Sequence, residues 1–181
     1  MLEPLRTRIQ FALAAMNAEA PPDTPELDAL FQRLLADDAD ERRRATQRIW
    51  EIWCSHAEEA AVRAMRSAVN AMEKGKLRDA GAILDAMVGR WPEWAEAWNK
   101  RATLRFLEKR DGKSLDDIAC TLEREPRHFG ALGGFGQICL RAGDESSALL
   151  AFERLLTIDP HLGDVRKAVA TLRGKVRHTI H

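Results

Sequence analysis

The chain has 181 residues, 45 % of them hydrophobic, and its 28 Lys and Arg balance 28 Asp and Glu. That size and apolar content fit one folded domain and exclude a disordered chain. Zero net charge leaves no global field to draw in nucleic acid or an acidic membrane surface, and no apolar run approaches the ~20 residues a membrane span needs. Ala, Leu, Arg and Glu dominate, and no long Val/Ile/Thr alternation occurs, so helix is favoured over sheet.

Residues 1–20 read two ways. Leu2, Leu5, Ile9, Ala12 and Met16 share one face of an amphipathic helix. The same stretch places Arg6 and Arg8 ahead of an apolar run from Phe11 to Met16, followed by small Ala18 and Ala20, which is the outline of a leader. The run is short and Asn17 breaks it, which weighs for the helix. A proline-rich linker follows, and Thr24 caps a helix with the stripe Leu27, Leu30, Phe31, Leu34 and Leu35. A turn at 37–40 supplies the next N-cap. The helix after it runs to about His56, with Ala45, Ile49, Ile52 and Trp53 inward. Residues 26–60 thus form a helical hairpin.

From there the chain repeats. Pro92, Pro126 and Pro160 are spaced by 34 residues, which defines units 61–94, 95–128 and 129–162. Positions related by that period are alike: small Ala68, Ala102 and Gly136; small Ala80, Ser114 and Ala148; large apolar Leu84, Ile118 and Phe152. The pattern resembles the tetratricopeptide repeat. In that family the first small residue lets two antiparallel helices cross closely, and the proline ends the second helix. Ala64, Trp98 and Leu132 stand where the family has its early apolar residue. Departures exist. The turn glycine, present as Gly75 and Gly143, is Lys109 in the middle unit, where Lys109 to Lys113 make an unusually charged turn. Ala71, Arg105 and Cys139 replace the aromatic of the first helix. Residues 163–181 form a last helix with Val165, Val169, Leu172 and Val176 on its apolar face. Its other face carries Arg166, Lys167, Arg173, Lys175 and Arg177, with no interleaved aromatics to stack bases, so it reads as a wetted face.

The resemblance implies an all-α, right-handed α-solenoid of antiparallel helix pairs. The hairpin 26–60 is then a degenerate unit before three regular ones, and 163–181 is a C-terminal capping helix. It also implies a non-catalytic adaptor that holds a peptide or helix of a partner protein in a concave groove lined by the first helix of each unit. The groove residues are Arg66, Met72, Asn99, Lys100, Thr103, Phe106, Gln137, Leu140 and Arg141. Met72, Phe106 and Leu140 offer apolar area, and the others offer orientation. Gly130, Gly133 and Gly134 project toward the groove, either as an open floor or as seats for a neighbouring helix. One subset of the family clamps chaperone carboxylates, but its positions map to Met65, Val69, Lys100, Gly130 and Gly134. Only Lys100 has the chemistry, so that specific activity is not expected.

Self-assembly through the groove or a chain end is the alternative, and the N-terminal helices folding into the groove compete with a partner. A third reading, an accessory metal-binding or enzymatic protein, has thin support. Cys54 and His56 are two apart, so on a helix they face different ways. His178 and His181 lack a further ligand. There is no phosphate loop and no nucleophile elbow. No enzyme activity, cofactor or metal is expected, nor a nucleic-acid or membrane partner. Trp50, Trp53, Trp91, Trp94 and Trp98 suit core packing better than a ligand cage. Three cysteines without paired spacing point to free thiols and a cytoplasmic location; a working leader would instead place the chain in the periplasm or outside.

Overall fold

The computed structural model describes residues 3–17 and 25–179, and among these there are ten helices and no strand. In chain order they are α1 (Glu3–Met16), α2 (Pro25–Arg33), α3 (Ala39–Trp53), α4 (Glu59–Glu73), α5 (Leu77–Arg90), α6 (Ala95–Leu107), α7 (Asp111–Arg124), α8 (Phe129–Ala142), α9 (Glu145–Ile158) and α10 (Gly163–Thr179). α4 packs on α5, α6 on α7 and α8 on α9, and α10 follows on α9. The architecture is an all-α helical-repeat solenoid.

Each pair closes where the sequence places small residues. Ala68, Ala102 and Gly136 are buried in the first helices, and Ala80, Ser114 and Ala148 in the second. Leu84, Ile118 and Phe152 fill the core beside them. Ser114 Oγ donates to the Ala102 carbonyl at 2.8 Å, which satisfies a hydroxyl that burial would otherwise penalise. α5, α7 and α9 all stop two residues before a proline. The proline ring disfavours the helical conformation in the residue ahead of it, and Glu125 and Asp159 are extended there.

The turns between the paired helices are alike. Gly75, Lys109 and Gly143 have φ of 69°, 59° and 78°. In each turn the next N–H reaches the carbonyl five residues back: Lys76 to Ala71 at 2.8 Å, Arg110 to Arg105 at 2.8 Å, Asp144 to Cys139 at 2.9 Å. Lys109 therefore keeps the turn its glycine counterparts make, but a side chain in the left-handed region costs roughly 1–2 kcal/mol. Lys109→Gly should raise the unfolding free energy by about 1 kcal/mol, because the greater freedom of glycine in the unfolded chain offsets part of the relief. Urea denaturation of parent and variant measures it, and an unchanged or lower midpoint would count against strain at Lys109.

α1 buries the expected Ile9, Ala12 and Met16, and Ala15 besides. It lies across α7, with lesser contact to α8 and α9. There it joins the core that includes Leu115, Ala119 and Leu122, and Arg8 Nε meets Asp116 Oδ1 at 2.7 Å. α2 and α3 pack on each other, and Asp38 caps α3 by accepting from the Asp40 and Glu41 N–H groups at 2.7 and 2.9 Å. This hairpin reaches the connection between α7 and α8. Trp53 stacks on His128 at 4.0 Å, and Arg127 lies 4.3 Å from the Phe31 ring centroid and pairs with Asp28. α10 buries Val169 and Leu172. Part of its basic face is tied down, since Arg173 and Lys175 pair with Glu153 and Glu145 of α9, each at 2.7 Å. Leu2, the small residues at 18 and 20, the linker with Thr24, and the side chains of 176–181, including His178 and His181, lie outside the described part of the structure.

Candidate functional site

Asn99, Thr103 and Phe106 fall on one face of α6 through the helical spacing of four and three. Opposite them stand Gly130 and Gly134 of α8, and Ser114 and Ile118 of α7 make the floor of a cleft of about 130 Å³. Thr103 is exposed and its hydroxyl donates to the Asn99 carbonyl at 3.0 Å. Phe106 is half-buried beneath Arg141, whose guanidinium lies 4.2 Å from the ring centroid. Arg141 is held in place by Asp111, with Nε 2.8 Å from Oδ2. Gln137 is exposed, and Leu140 is half-buried against the core. Arg66 lines a different cleft, of about 500 Å³, between α4 and the end of α3, together with Met65, Val69 and Cys54. Met72 packs on the core of the first helix pair.

The glycines separate by environment. A Cβ on Gly130 would stand 3.0 Å from Trp50 Cη2, so Gly130 seats a ring of α3. Gly133 has nothing within 4 Å of such a Cβ, and Gly134 has only Ile118 Cδ1 at 3.7 Å. Of these two, Gly134 lines the cleft and leaves its wall bare.

Asn99 and Lys100 are committed elsewhere, to Glu96. This carboxylate, one helical turn before Asn99 and Lys100, is fully buried. Its Oε2 accepts from Asn99 Nδ2 at 2.8 Å and lies 3.0 Å from His128 Nε2, and its Oε1 lies 2.9 Å from Lys100 Nζ. His128 Nδ1 accepts the Ala131 N–H at 3.3 Å, capping α8. Nε2 is therefore the nitrogen that donates to Glu96. Burial pushes the Glu96 carboxyl up, but the hydrogen bond from His128 and the charge and hydrogen bond of Lys100 outweigh it and hold the group below its ordinary value. Trp50 and Trp53 roof this cluster, with Lys100 Nζ 5.3 Å from the Trp50 ring centroid.

The i, i+3, i+4 spacing of Glu96, Asn99 and Lys100 is legible in the sequence. Nothing there announces that His128 completes the set. The tryptophans act in packing: Trp94 Nε1 donates to the Trp53 carbonyl at 2.7 Å and Trp98 Nε1 to the Pro92 carbonyl at 2.8 Å.

The cysteine environments do not suit nucleophilic chemistry. Burial, then the charge of Glu96, raises the Cys54 thiol to about 11. Burial, then Asp144, raises Cys139 to about 12. Both thiols stay protonated at neutral pH. Among the described residues no group of three or more His, Cys, Asp or Glu is arranged to hold a metal, and no helix is long and apolar enough to cross a membrane.

No protein-family model matches the chain. A TPR repeat-containing protein of Rhizobium etli is 36% identical over 161 residues, which cover 88% of this chain and 78% of the relative. The chain belongs to the tetratricopeptide-repeat family. A solved tetratricopeptide domain, the first of Spaghetti (RPAP3) bound to an HSP90 peptide, shares the fold with a TM-score of 0.60 at 14% identity, over 65% of this chain and 93% of that one. α4, α6 and α8 are the first helices of the packed pairs and α5, α7 and α9 the second.

Proposed function

We propose that this tetratricopeptide protein is a non-catalytic adaptor that holds a peptide or helix of a partner protein in the groove between α6 and α8. The observation that carries the reading is the cleft itself. Thr103 and Phe106 form one wall, Gly134 leaves the other bare, and Ile118 supplies an apolar floor. Membership of a family of protein-interaction modules supports it, as does the peptide bound by the structurally similar Spaghetti domain. The carboxylate clamp of the chaperone-binding subset is not part of the proposal, because Lys100 is held by Glu96 and Trp50. Working contacts are assigned to Thr103, Phe106, Gln137, Leu140 and Arg141, with Arg66 and Met72 extending the surface along α4.

Gly134→Leu tests this directly. A Cβ at 134 meets only Ile118 Cδ1, at an ordinary 3.7 Å, and the rest of the side chain extends into the open cleft, so the helix gains up to about 1 kcal/mol of propensity. The same side chain fills the cleft. The variant should melt at or above the parent temperature and lose, by at least about tenfold, the protein that the parent retains from native lysate. Equal retention by a stable variant would remove the groove from consideration. Light scattering against concentration separates this reading from self-assembly, which would appear as mass growing with concentration and falling in the variant.

A further inference from the structure

The opposite side of α6 faces a second concave site. Successive helical residues turn by about 100°, so Arg101 and Arg105 point away from Asn99 and Thr103. They line a cleft of about 390 Å³ between α5 and the α6–α7 pair, with Arg78, Arg110 and Lys113. Arg101 and Arg105 are mostly buried and fixed. Both reach the carboxylate of Asp117 at 2.7 Å, and Arg101 also meets Asp85 at 2.9 Å. Arg110 pairs with Glu108 at 2.9 Å. Five cationic side chains thus face three carboxylates, Asp85, Glu108 and Asp117, which leaves a surplus of two positive charges. That surplus corresponds to Arg78 and Lys113, both exposed and neither in an ion pair among the described residues. Arg105 also donates to the Lys113 carbonyl at 3.2 Å, which anchors the start of α7 to the wall of the cleft.

We infer that this cleft, on the side of α6 away from the peptide groove, binds a phosphomonoester dianion. Three features select that ligand class. The unpaired charge is two, which a phosphomonoester near neutral pH matches. The wall presents guanidinium groups, whose planar forks suit tetrahedral oxyanions. The two helices whose first turns enter the cleft, α5 and α7, start at Lys76 and Arg110 without a side-chain cap, which leaves first-turn N–H groups for an anion, and the acidic residues of those turns, Asp79 and Asp111, do not line the cleft.

The test is titration of the full chain with inorganic phosphate, with a phosphoserine peptide and with the same peptide unphosphorylated, followed by calorimetry and by amide shifts in NMR spectra. Saturable binding of the phosphorylated probes is expected, with shifts centred on the first turns of α5 and α7. Arg78→Ala/Lys113→Ala, which removes two exposed and unpaired side chains, should keep the parent melting temperature and weaken binding about tenfold or more. Tighter binding of the peptide than of inorganic phosphate assigns the ligand to a phosphorylated protein segment, and equal binding assigns it to free phosphomonoesters. No saturable binding, an undiminished affinity in the double variant, or equal affinity for the unphosphorylated peptide would overturn the site. Gly134→Leu should bind phosphate as the parent does, so failure of the groove and failure of this cleft are told apart.

Discussion

Replacing Glu96 with alanine should lower the unfolding free energy by about 3–5 kcal/mol, the range for breaking a buried, paired charge from one side. The carboxylate is the shared acceptor of Asn99, His128 and Lys100, and it and His128 are fully buried. Removing it leaves these donors, and the Cys54 thiol 3.8 Å from Oε1, facing a void roofed by Trp53. The loss reaches past α6, because His128 caps α8 and stacks on α3. Lys100→Ala should cost less, since Lys100 is partly exposed and its ammonium can be replaced by water. Urea denaturation at neutral pH measures both, and a Glu96→Ala loss below about 1 kcal/mol would mean the cluster contributes little.

The same group predicts a pH dependence. The folded state holds the Glu96 carboxyl below its unfolded value, so the folded state binds a proton less readily than the unfolded one. Its stabilisation is therefore complete above the ordinary glutamate value of about 4.3 and disappears as pH falls through the lowered folded value. The stability difference between the parent and Glu96→Gln should be flat from about pH 7 to 5 and shrink below about 4. A difference that grows on acidification would contradict the assignment.

Gly136→Val is the second large expected effect, a loss of about 3 kcal/mol or more. A Cβ at this position would lie 2.4, 2.6 and 2.9 Å from three atoms of the Phe152 ring. The ring is buried in the third helix pair, so it has nowhere to move without opening the core. The gain in helix propensity on replacing glycine, up to about 1 kcal/mol, does not offset that overlap. Phe152→Leu removes the two ring atoms that would stand closest, Cε1 and Cζ. The double variant should therefore be more stable than the sum of the two single losses predicts, by about 1 kcal/mol or more. Strict additivity in thermal or urea unfolding would show that the crossing of α8 and α9 relaxes by another route. Lys109→Gly is the counterpart with the opposite sign, a glycine position occupied by a side chain rather than one that must exclude it.

The repeat was legible because its causes are local. Proline geometry sets where α5, α7 and α9 stop, and small residues set where paired helices cross; both act inside a single 34-residue unit. The cleft beside Thr103 and Phe106 was legible for the same reason, since helical spacing places these residues on one face. Asn99 and Lys100 share that face in sequence, yet they turn to Glu96 because a buried carboxylate needs donors more than a solvated groove does. Gly130 reads in sequence as either an open floor or a packed seat, and Trp50, arriving from α3, makes it a seat.

By itself, then, the sequence determined the helical pairs, their turns and which residues share the Thr103 and Phe106 face of α6. Only the tertiary structure decided that α1 covers α7, that the α2–α3 hairpin docks on the connection before α8, and that Glu96 and His128 share one buried site. Arg8 and Asp116 are 108 residues apart and Glu96 and His128 are 32 apart. Such pairings depend on which surfaces meet once the helices have formed, and the periodicity of a single helix carries no record of the partner its buried face will find.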